Sequence, residues 1–513
     1  MSLARDIGTV GSGTLISRLL GFARDAVIAA LLGVGPLSEA FFAVMQIINV
    51  FRRLLAEGAF NSAFVPIWLR LRAERGEASA HGFTRRSLLV MFCIAGLVTL
   101  AIATFSDAFI AVVAPGFPDE QREFAALLLT ITAPYVLFAG LAAVFAAALN
   151  AERRVAAAAI AAALFNGVLV AVVTVLFLAR IDPFAGTLAL AGAIGAAAAL
   201  QLAFIAAAWL AAGRRRPGNV ARAPAVVRMF FARALPGLMS AGLPQLKLIA
   251  VTAVVSSSAP AVAWLYYANR LYGLPLGVVS VAAAAAVVPR MAASLHAGQG
   301  ADVAGAQSRA LELSLGLALP AAAGLGLLAA PVCAVLFERG AFTASDTAAV
   351  ATALIGMSGG LPAHALEKVF AAASFAREDT ATPMMTALFG LLGAAGAALM
   401  LFPRYGLAGA AAAIAVSAWA SAALLGALLA RRGWLRIDGT IRRRLPRIAL
   451  AVASMVATLA AARVVMPEAE TMATRILALA ALVALGVLSY AAALHILGVA
   501  RLGEIIAAIK SEA

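Results

Sequence analysis

The sequence predicts an all-α polytopic membrane protein. About 14 transmembrane helices are expected, as two parallel six-helix lobes around a central cavity plus two C-terminal helices. Three observations lead there. The 513 residues are 64% hydrophobic and 12% charged, whereas soluble chains are about half apolar and a quarter charged. The apolar residues fall in long blocks, many of membrane-spanning length, divided by short polar loops. The chain also echoes itself across six of those blocks. Strand-length alternation is absent, which argues against an outer-membrane barrel.

In order, the apolar segments are 10–33, 37–68, 86–114, 121–149, 155–179, 184–212, 230–257, 260–288, 307–337, 346–373, 381–402, 405–430, 447–466 and 472–498. The first is long, carries internal charges and lacks a small-x-small cleavage site, so it reads as a span and not a signal peptide. The loops after even spans are basic: "RLRAERG…TRR", "NAERR", "GRRRPGNVARAP", "PRMAASLHAGQG", "FARED" with its neighbours, and "RRGWLRIDGTIRRRLPR". Those after odd spans are neutral or acidic: "GVGPLSE", "PGFPDEQRE", "SSSAP", "ERGAFTASD" and "MPEAET". The positive-inside rule then places both termini in the cytoplasm. The net charge of +15 is a topology signal facing anionic membrane lipids, not a nucleic-acid footprint.

The repeat is carried by three pairs. "VFAAALNAERR" at 144–154 echoes "VFAAASFARED" at 369–379, "FVPIW" at 64–68 echoes "VVPRM" at 287–291, and "LISRLLGFAR" at 15–24 aligns with "LMSAGLPQLK" at 238–247. Six spans separate the copies, an even number, so both share one topology. The expected division is 1–220 for the first lobe, 221–435 for the second and 436–513 for two extra spans. The same alignment sets Ser17 on Ser240, Gly21 on Pro244 and Arg24 on Lys247.

Charges inside the spans point to function. At 1.5 Å per residue, Arg24 lies roughly 21 Å into span 1, Arg18 roughly 12 Å, Arg52 roughly 22 Å into span 2 and Arg270 roughly 15 Å into span 8. Lys247 sits near the middle of span 7. Each mid-span charge costs about 2.5–3.5 kcal/mol, so four cost on the order of 10 kcal/mol unless they line a shared aqueous cavity. Snorkelling to the interface suits Lys368, Arg53 and Glu57. Ser17 and Arg24 are one heptad apart on one helical line, with Arg18 and Asp25 on the adjacent line. Cations outnumber anions there, and the planar arginine fork suits phosphate. The predicted ligand is therefore an anion.

Other chemistries find no support. Cys93 and Cys333 both fall in apolar blocks, and His81, His296, His364 and His495 are scattered, so neither a disulfide framework nor a metal or cofactor site is indicated. "GMSGG" at 356–360 matches the hydrolase elbow pattern but lies in a membrane helix, without the strand-turn-helix it requires. No Walker motif is present, so transport is expected to run on a coupling ion, the membrane potential or the substrate gradient. Glu378 and Asp379 read as loop-edge charges, weak candidates for a coupling site. An acidic cavity for cationic drugs is not indicated, nor is a clustered catalytic set acting on lipid-linked sugars.

"SRLLGFARDAVIAALLG", "EAFFAVMQIINVFRRLLAEGAFNSAFVPIW", "ANRLYGLPLGVVSVAAAAAVVPRMA", "LFERGAFTASDT" and "FAREDTATP" closely resemble the MurJ (MviN) family of bacterial lipid II flippases. The resemblance runs from about residue 5 to the last spans. It implies the fold of the multidrug/oligosaccharidyl-lipid/polysaccharide exporter superfamily, a multi-pass place in the cytoplasmic (inner) membrane and a role in peptidoglycan synthesis. It implies that Arg18, Arg24, Arg52 and Arg270 hold the diphosphate and sugar head, with Lys368 a further candidate and Ser17, Asp25 and Asn49 assisting. Glu39 stands where the family usually has aspartate, while Asn269 and Gly273 stand where some members have carboxylates. The two extra spans are implied to form an apolar groove. Lys247 is added from the internal repeat alone. Gly21, Pro244 and Pro275 are candidate hinges. A flippase for another polyprenyl-diphosphate-linked oligosaccharide is the alternative.

Overall fold

The computed structural model describes residues 3–56, 59–211, 242–296, 300–435, 438–466 and 470–499. Every regular element among them is helical. The first seven helices are α1 (Leu3–Leu32), α2 (Pro36–Ala56), α3 (Ala59–Arg75), α4 (Glu77–Thr104), α5 (Ser106–Val113), α6 (Asp119–Thr132) and α7 (Pro134–Ala151). Then come α8 (Val155–Leu178) and α9 (Pro183–Ala211), α10 (Gly242–Val255), α11 (Ala261–His296), α12 (Gly300–Leu327) and α13 (Ala329–Phe337). The last are α14 (Ala344–Ser358), α15 (Leu361–Phe375), α16 (Ala381–Arg431), α17 (Gly439–Val465) and α18 (Met472–Ile496).

By length and composition, 8 helices among the described residues can cross a membrane, or 9 if the bent pair α14 and α15 counts as one span. The sequence has fourteen apolar segments; one of them, 230–257, begins outside the described residues, and others differ for physical reasons. α1 carries Arg18, Arg24 and Asp25, and α2 carries Glu39, Arg52 and Arg53, so neither is apolar throughout. Other segments are broken. α6 and α7 still count as one span, Asp119–Ala151, although Pro134 opens α7 at its first turn, where a missing N–H costs least. α16 joins two segments across Gly406, whose φ of 55° lies outside helical space, three residues after Pro403.

The helices group into two compact units: residues 1–262 with 339–342, and 263–338 with 343–513. The expected boundaries at 220/221 and 435/436 abut or fall within 212–241 and 436–437, outside the described residues.

In the first unit, α3, α4, α7 and α9 share an aromatic core around Phe60, Phe64, Trp68, Phe83 and Trp209. Phe64 stacks on Phe60 at 5.7 Å and on Phe83 at 4.8 Å, pairs worth about 0.5–1.5 kcal/mol each beyond area burial. The buried Trp68 indole donates to Thr84 Oγ1 at 3.2 Å, so its polar atom is satisfied. α1 lies along α8, and α2 packs on α6 and α7. α10 joins this unit: Thr252 donates to Gln46 of α2 at 3.0 Å, and Gly116 N–H donates to Ser256 Oγ at 2.9 Å. The turn 339–342 also belongs here, with Ala341 N–H donating to Ala30 O at 2.9 Å. That bond caps a carbonyl in the last turn of α1, where no helical partner is available.

In the second unit, side chains fix the helix starts. Asp438 accepts from Thr440 N–H at 3.0 Å and Ile441 N–H at 3.2 Å to cap α17. Thr343 with Asp346, and Thr471 with Thr474, form reciprocal caps on α14 and α18. Large apolar side chains face outward, among them Val464, Val465 and Ile496, as expected of surfaces that meet lipid.

One ion pair makes this packing pH-sensitive. Arg475 at the start of α18 donates to Glu338 at 2.8 Å, and Thr347 of α14 donates to it at 2.8 Å. The Arg475 bond, aided by Thr347 and against the upward pull of burial, holds the Glu338 carboxyl below its ordinary 4.5. A depressed carboxylate adds stability above its unfolded pKa and loses it as pH falls through the folded one. The solubilised chain is therefore expected to melt at lower temperature on acidification below 4.5. Glu338→Gln should shrink that acid-induced fall, read from melting curves across pH.

Candidate functional site

The clearest polar cluster in the membrane-spanning part of the first unit is built on α1 and α8. Arg24 and Asp25 are both buried. The Arg24 guanidinium donates to Asp25 Oδ1 through Nε at 2.9 Å and Nη2 at 2.7 Å. Through Nη1 it also donates to Asn166 Oδ1 on α8 at 3.4 Å. The Asn166 amide in turn donates to Ser17 Oγ at 3.1 Å and to the Ala162 carbonyl at 3.3 Å. The heptad spacing of Ser17 and Arg24 thus brings both to one partner. A buried charge without partners is strongly destabilising, and here a carboxylate and an amide fix the guanidinium in one orientation. Such a group is a pre-set donor for a planar or tetrahedral oxyanion. Arg18, on the adjacent line, is exposed.

On α2, Arg52 Nε donates to Asn49 Oδ1 at 3.2 Å, and both residues are half-buried. Glu39 sits at the opposite end of the same helix. It is fully buried, accepts from Val262 N–H at 3.0 Å and lies 3.4 Å from the Gln121 amide. Val262 is the second residue of α11, so Glu39 supplies an acceptor and a negative charge at that helix start. Lys247 is buried in α10, a second buried cation in the first unit.

In the second unit Arg270 is half-buried on α11, and Lys368 is exposed on α15. The hinge candidates differ in setting. Helix runs unbroken through Gly21 and through Pro275, and Pro244 is exposed near the start of α10. The interruptions lie elsewhere, at Gly359–Gly360 and Gly406. Asp379 is held by Thr382 Oγ1 at 2.6 Å and Arg432 at 2.6 Å. Burial raises its carboxyl pKa, but the Thr382 and Arg432 bonds outweigh burial and leave it below its ordinary value. It is a paired loop-edge charge. No group of three or more potential metal ligands occurs among the described residues.

Residues 28–481 match the family model described as lipid II flippase MurJ. The chain belongs to the lipid II flippase MurJ family. A probable lipid II flippase MurJ of Rhizobium meliloti (strain 1021) is 38% identical over 99% of this chain and 97% of that protein. Among solved structures, a lipid II flippase MurJ in an inward closed conformation superposes with a TM-score of 0.78 at 21% identity, covering 95% of this chain and 98% of the other. An inward-facing multidrug resistance MATE family transporter of the MOP superfamily gives 0.71 at 17% identity, covering 81% and 94%. The fold is thus the MurJ and MATE membrane-transporter fold, in a multi-span protein of the inner membrane.

Within this MurJ-family chain, Asn166 joins the Arg24 cluster and is a candidate that no sequence motif marks. Its signal was present: it is the single strongly polar side chain in the apolar run 155–178, and polar residues inside spans are functional candidates by default. The Tyr272–His364 pair on α11 and α15 is likewise unmarked, because its two members lie 92 positions apart.

Proposed function

We propose that this chain moves lipid II from the inner to the outer leaflet of the cytoplasmic membrane by alternating access, supplying the cell wall. The membership of residues 28–481 in the family carries this reading. The buried, oriented Arg24 gives it chemistry, since the lipid II head presents a diphosphate. In this reading the cations Arg24, Arg52 and Arg270 hold the head group. Arg18, Lys247 and Lys368 add positive field, and Ser17, Asp25 and Asn49 orient the arginines. Glu39 acts through the start of α11. The lobes correspond to residues 1–220 and 221–435. Residues 436–513 bear the apolar groove for the prenyl tail, and both termini are cytoplasmic. Lobe rocking between two inverted openings carries the head across. No nucleotide is consumed, and the driving force is an ion gradient or the membrane potential.

The test is lipid II accessibility at the outer surface of cells depleted of their own flippase. Expressing this chain restores accessibility. A chain that inserts normally and leaves lipid II inaccessible overturns the proposal. If it exposes only another polyprenyl-diphosphate oligosaccharide, the family-wide substrate is wrong for this member.

Asn166→Ala tests the tether. It removes bonds worth about 1 kcal/mol each and leaves the charges in place. Lipid II movement should fall about 5- to 10-fold, by the conversion of roughly 1.4 kcal/mol per decade, with normal insertion. An unchanged rate in reconstituted vesicles would remove Asn166 from the site.

A further inference from the structure

The second unit holds a titratable cluster, a buried Tyr272 with a half-buried His364 and Glu367, that the transport site does not use. α14 and α15 meet at a 41° bend across Gly359–Gly360. The Trp419 indole donates to the Gly359 carbonyl at 2.9 Å. The Gly360 carbonyl receives His364 N–H at 3.0 Å and lies 3.1 Å from His364 Nδ1. The same Nδ1 is 2.8 Å from the hydroxyl of Tyr272 on α11. On the other edge of the ring, Nε2 lies 4.0 Å from Glu367 Oε2. His364 is eleven residues from the end of α15, about 17 Å along the helix, well inside the span.

We propose that His364, with Tyr272 and Glu367, is an intramembrane proton-binding site that couples a transmembrane pH gradient to lipid II movement. The proposal rests on the flippase reading above and names its coupling ion. The ring is surrounded by groups that can accept a hydrogen bond: the Gly360 carbonyl, the Tyr272 oxygen and the Glu367 carboxylate. A neutral imidazole has one N–H to offer them. An imidazolium has two, so Nδ1–H serves Gly360 or Tyr272 while Nε2–H turns to Glu367 as a charge-assisted bond. Proton uptake therefore converts a 4.0 Å approach into an ion pair, and proton loss releases it.

On α12 and α16 the other charged groups among the described residues are exposed or paired. On α12, Arg309 is exposed and Glu312 is bound by Arg444 at 2.8 Å. On α16, Arg404, Tyr405 and Arg431 are exposed. On α11 and α15 themselves, Arg270 precedes Tyr272 by two residues and Lys368 follows Glu367. Tightening or loosening the contact between α11 and α15 thus acts on the two helices that carry the second unit's candidate head-group cations. One proton binds His364 from the outer side and leaves to the cytoplasm in each cycle, opposite to the lipid.

The experiment uses the full chain in vesicles with lipid II, the membrane potential clamped at zero and a pH gradient imposed. With one proton exchanged per lipid, each pH unit shifts the lipid II distribution about tenfold, towards the acidic side. His364→Gln abolishes that shift. Tyr272→Phe keeps the ring packing and moves the pH midpoint of transport, which a purely structural hydroxyl would not do. A tenfold shift that survives in His364→Gln overturns the proposal. So does a wild-type chain that answers to potential or to a sodium gradient but not to pH. If the wild-type chain moves no lipid II under any gradient, the flippase reading itself has failed, and the proton site falls with it.

Discussion

Replacing Arg24 by glutamate is expected to abolish lipid II movement while the protein still inserts. The variant removes a buried cation and sets a second carboxylate beside Asp25, which is 1% exposed. A bond to a charged group contributes about 1.5–3 kcal/mol, and breaking a buried charge pair costs about 3–5 kcal/mol. Together these predict at least a 100-fold loss at roughly 1.4 kcal/mol per decade. Two milder variants separate the site from the fold. Arg24→Lys keeps the charge but loses the planar fork that reaches both Asp25 and Asn166, so an intermediate rate is expected, about tenfold down. Arg24→Gln removes the charge without adding an opposite one and should fall between lysine and glutamate. Transport rates that follow the order arginine, lysine, glutamine, glutamate, at equal amounts of inserted protein, identify Arg24 as an anion-holding group.

The second large effect is structural. Gly340 is expected to tolerate no side chain. Its φ is 60°, and a Cβ there would overlap the Ala30 carbonyl at the end of α1. Opposite it, Gly33 has a φ of 59° and faces the Ala341 backbone just as closely. Two glycines let the turn 339–342 reach the end of α1 and form the Ala341 to Ala30 bond. Gly340→Ala adds a left-handed penalty of about 1–2 kcal/mol and an overlap penalty of about 1–3 kcal/mol, both against backbone that cannot rotate away. The yield of folded, detergent-stable protein should collapse. Gly35→Ala is the matched control. It lies beside Gly33 in the connection from α1 to α2, has open space where a Cβ would stand, and should change stability by less than about 0.5 kcal/mol.

The sequence spoke clearly where the physics is one-dimensional. Helix rise converts residue number into position along a helix, so Arg18, Arg24 and Arg52 could be placed on α1 and α2 from the chain alone. Helical periodicity placed Ser17 and Arg24 on one line, and Asn166 meets both. Partners from distant segments could not be read this way. Asn166 lies 142 positions from Arg24, and nothing local in either segment announces the other. Glu39 shows the same gap. Its charge was legible, but its bond to Val262 N–H, 223 positions away, depends on which helix start is brought to it. Depth also says nothing about burial, so Arg18 looked equivalent to Arg24 although Arg18 is exposed and Arg24 is buried. Breaks such as Gly406 were visible as "PRYG" between two apolar runs, because proline and glycine act on the backbone locally.

The most direct measurement is transbilayer movement of lipid II by the purified chain. Fluorescent lipid II is placed in both leaflets of sealed vesicles, and a membrane-impermeant reductant quenches the outer pool. Vesicles containing the wild-type chain should lose the protected inner pool as well, while Arg24→Glu vesicles keep it. If the inner pool stays protected in wild-type vesicles, or if the Arg24→Glu chain empties it at the wild-type rate, the account of a lipid II flippase working through a buried arginine site is contradicted.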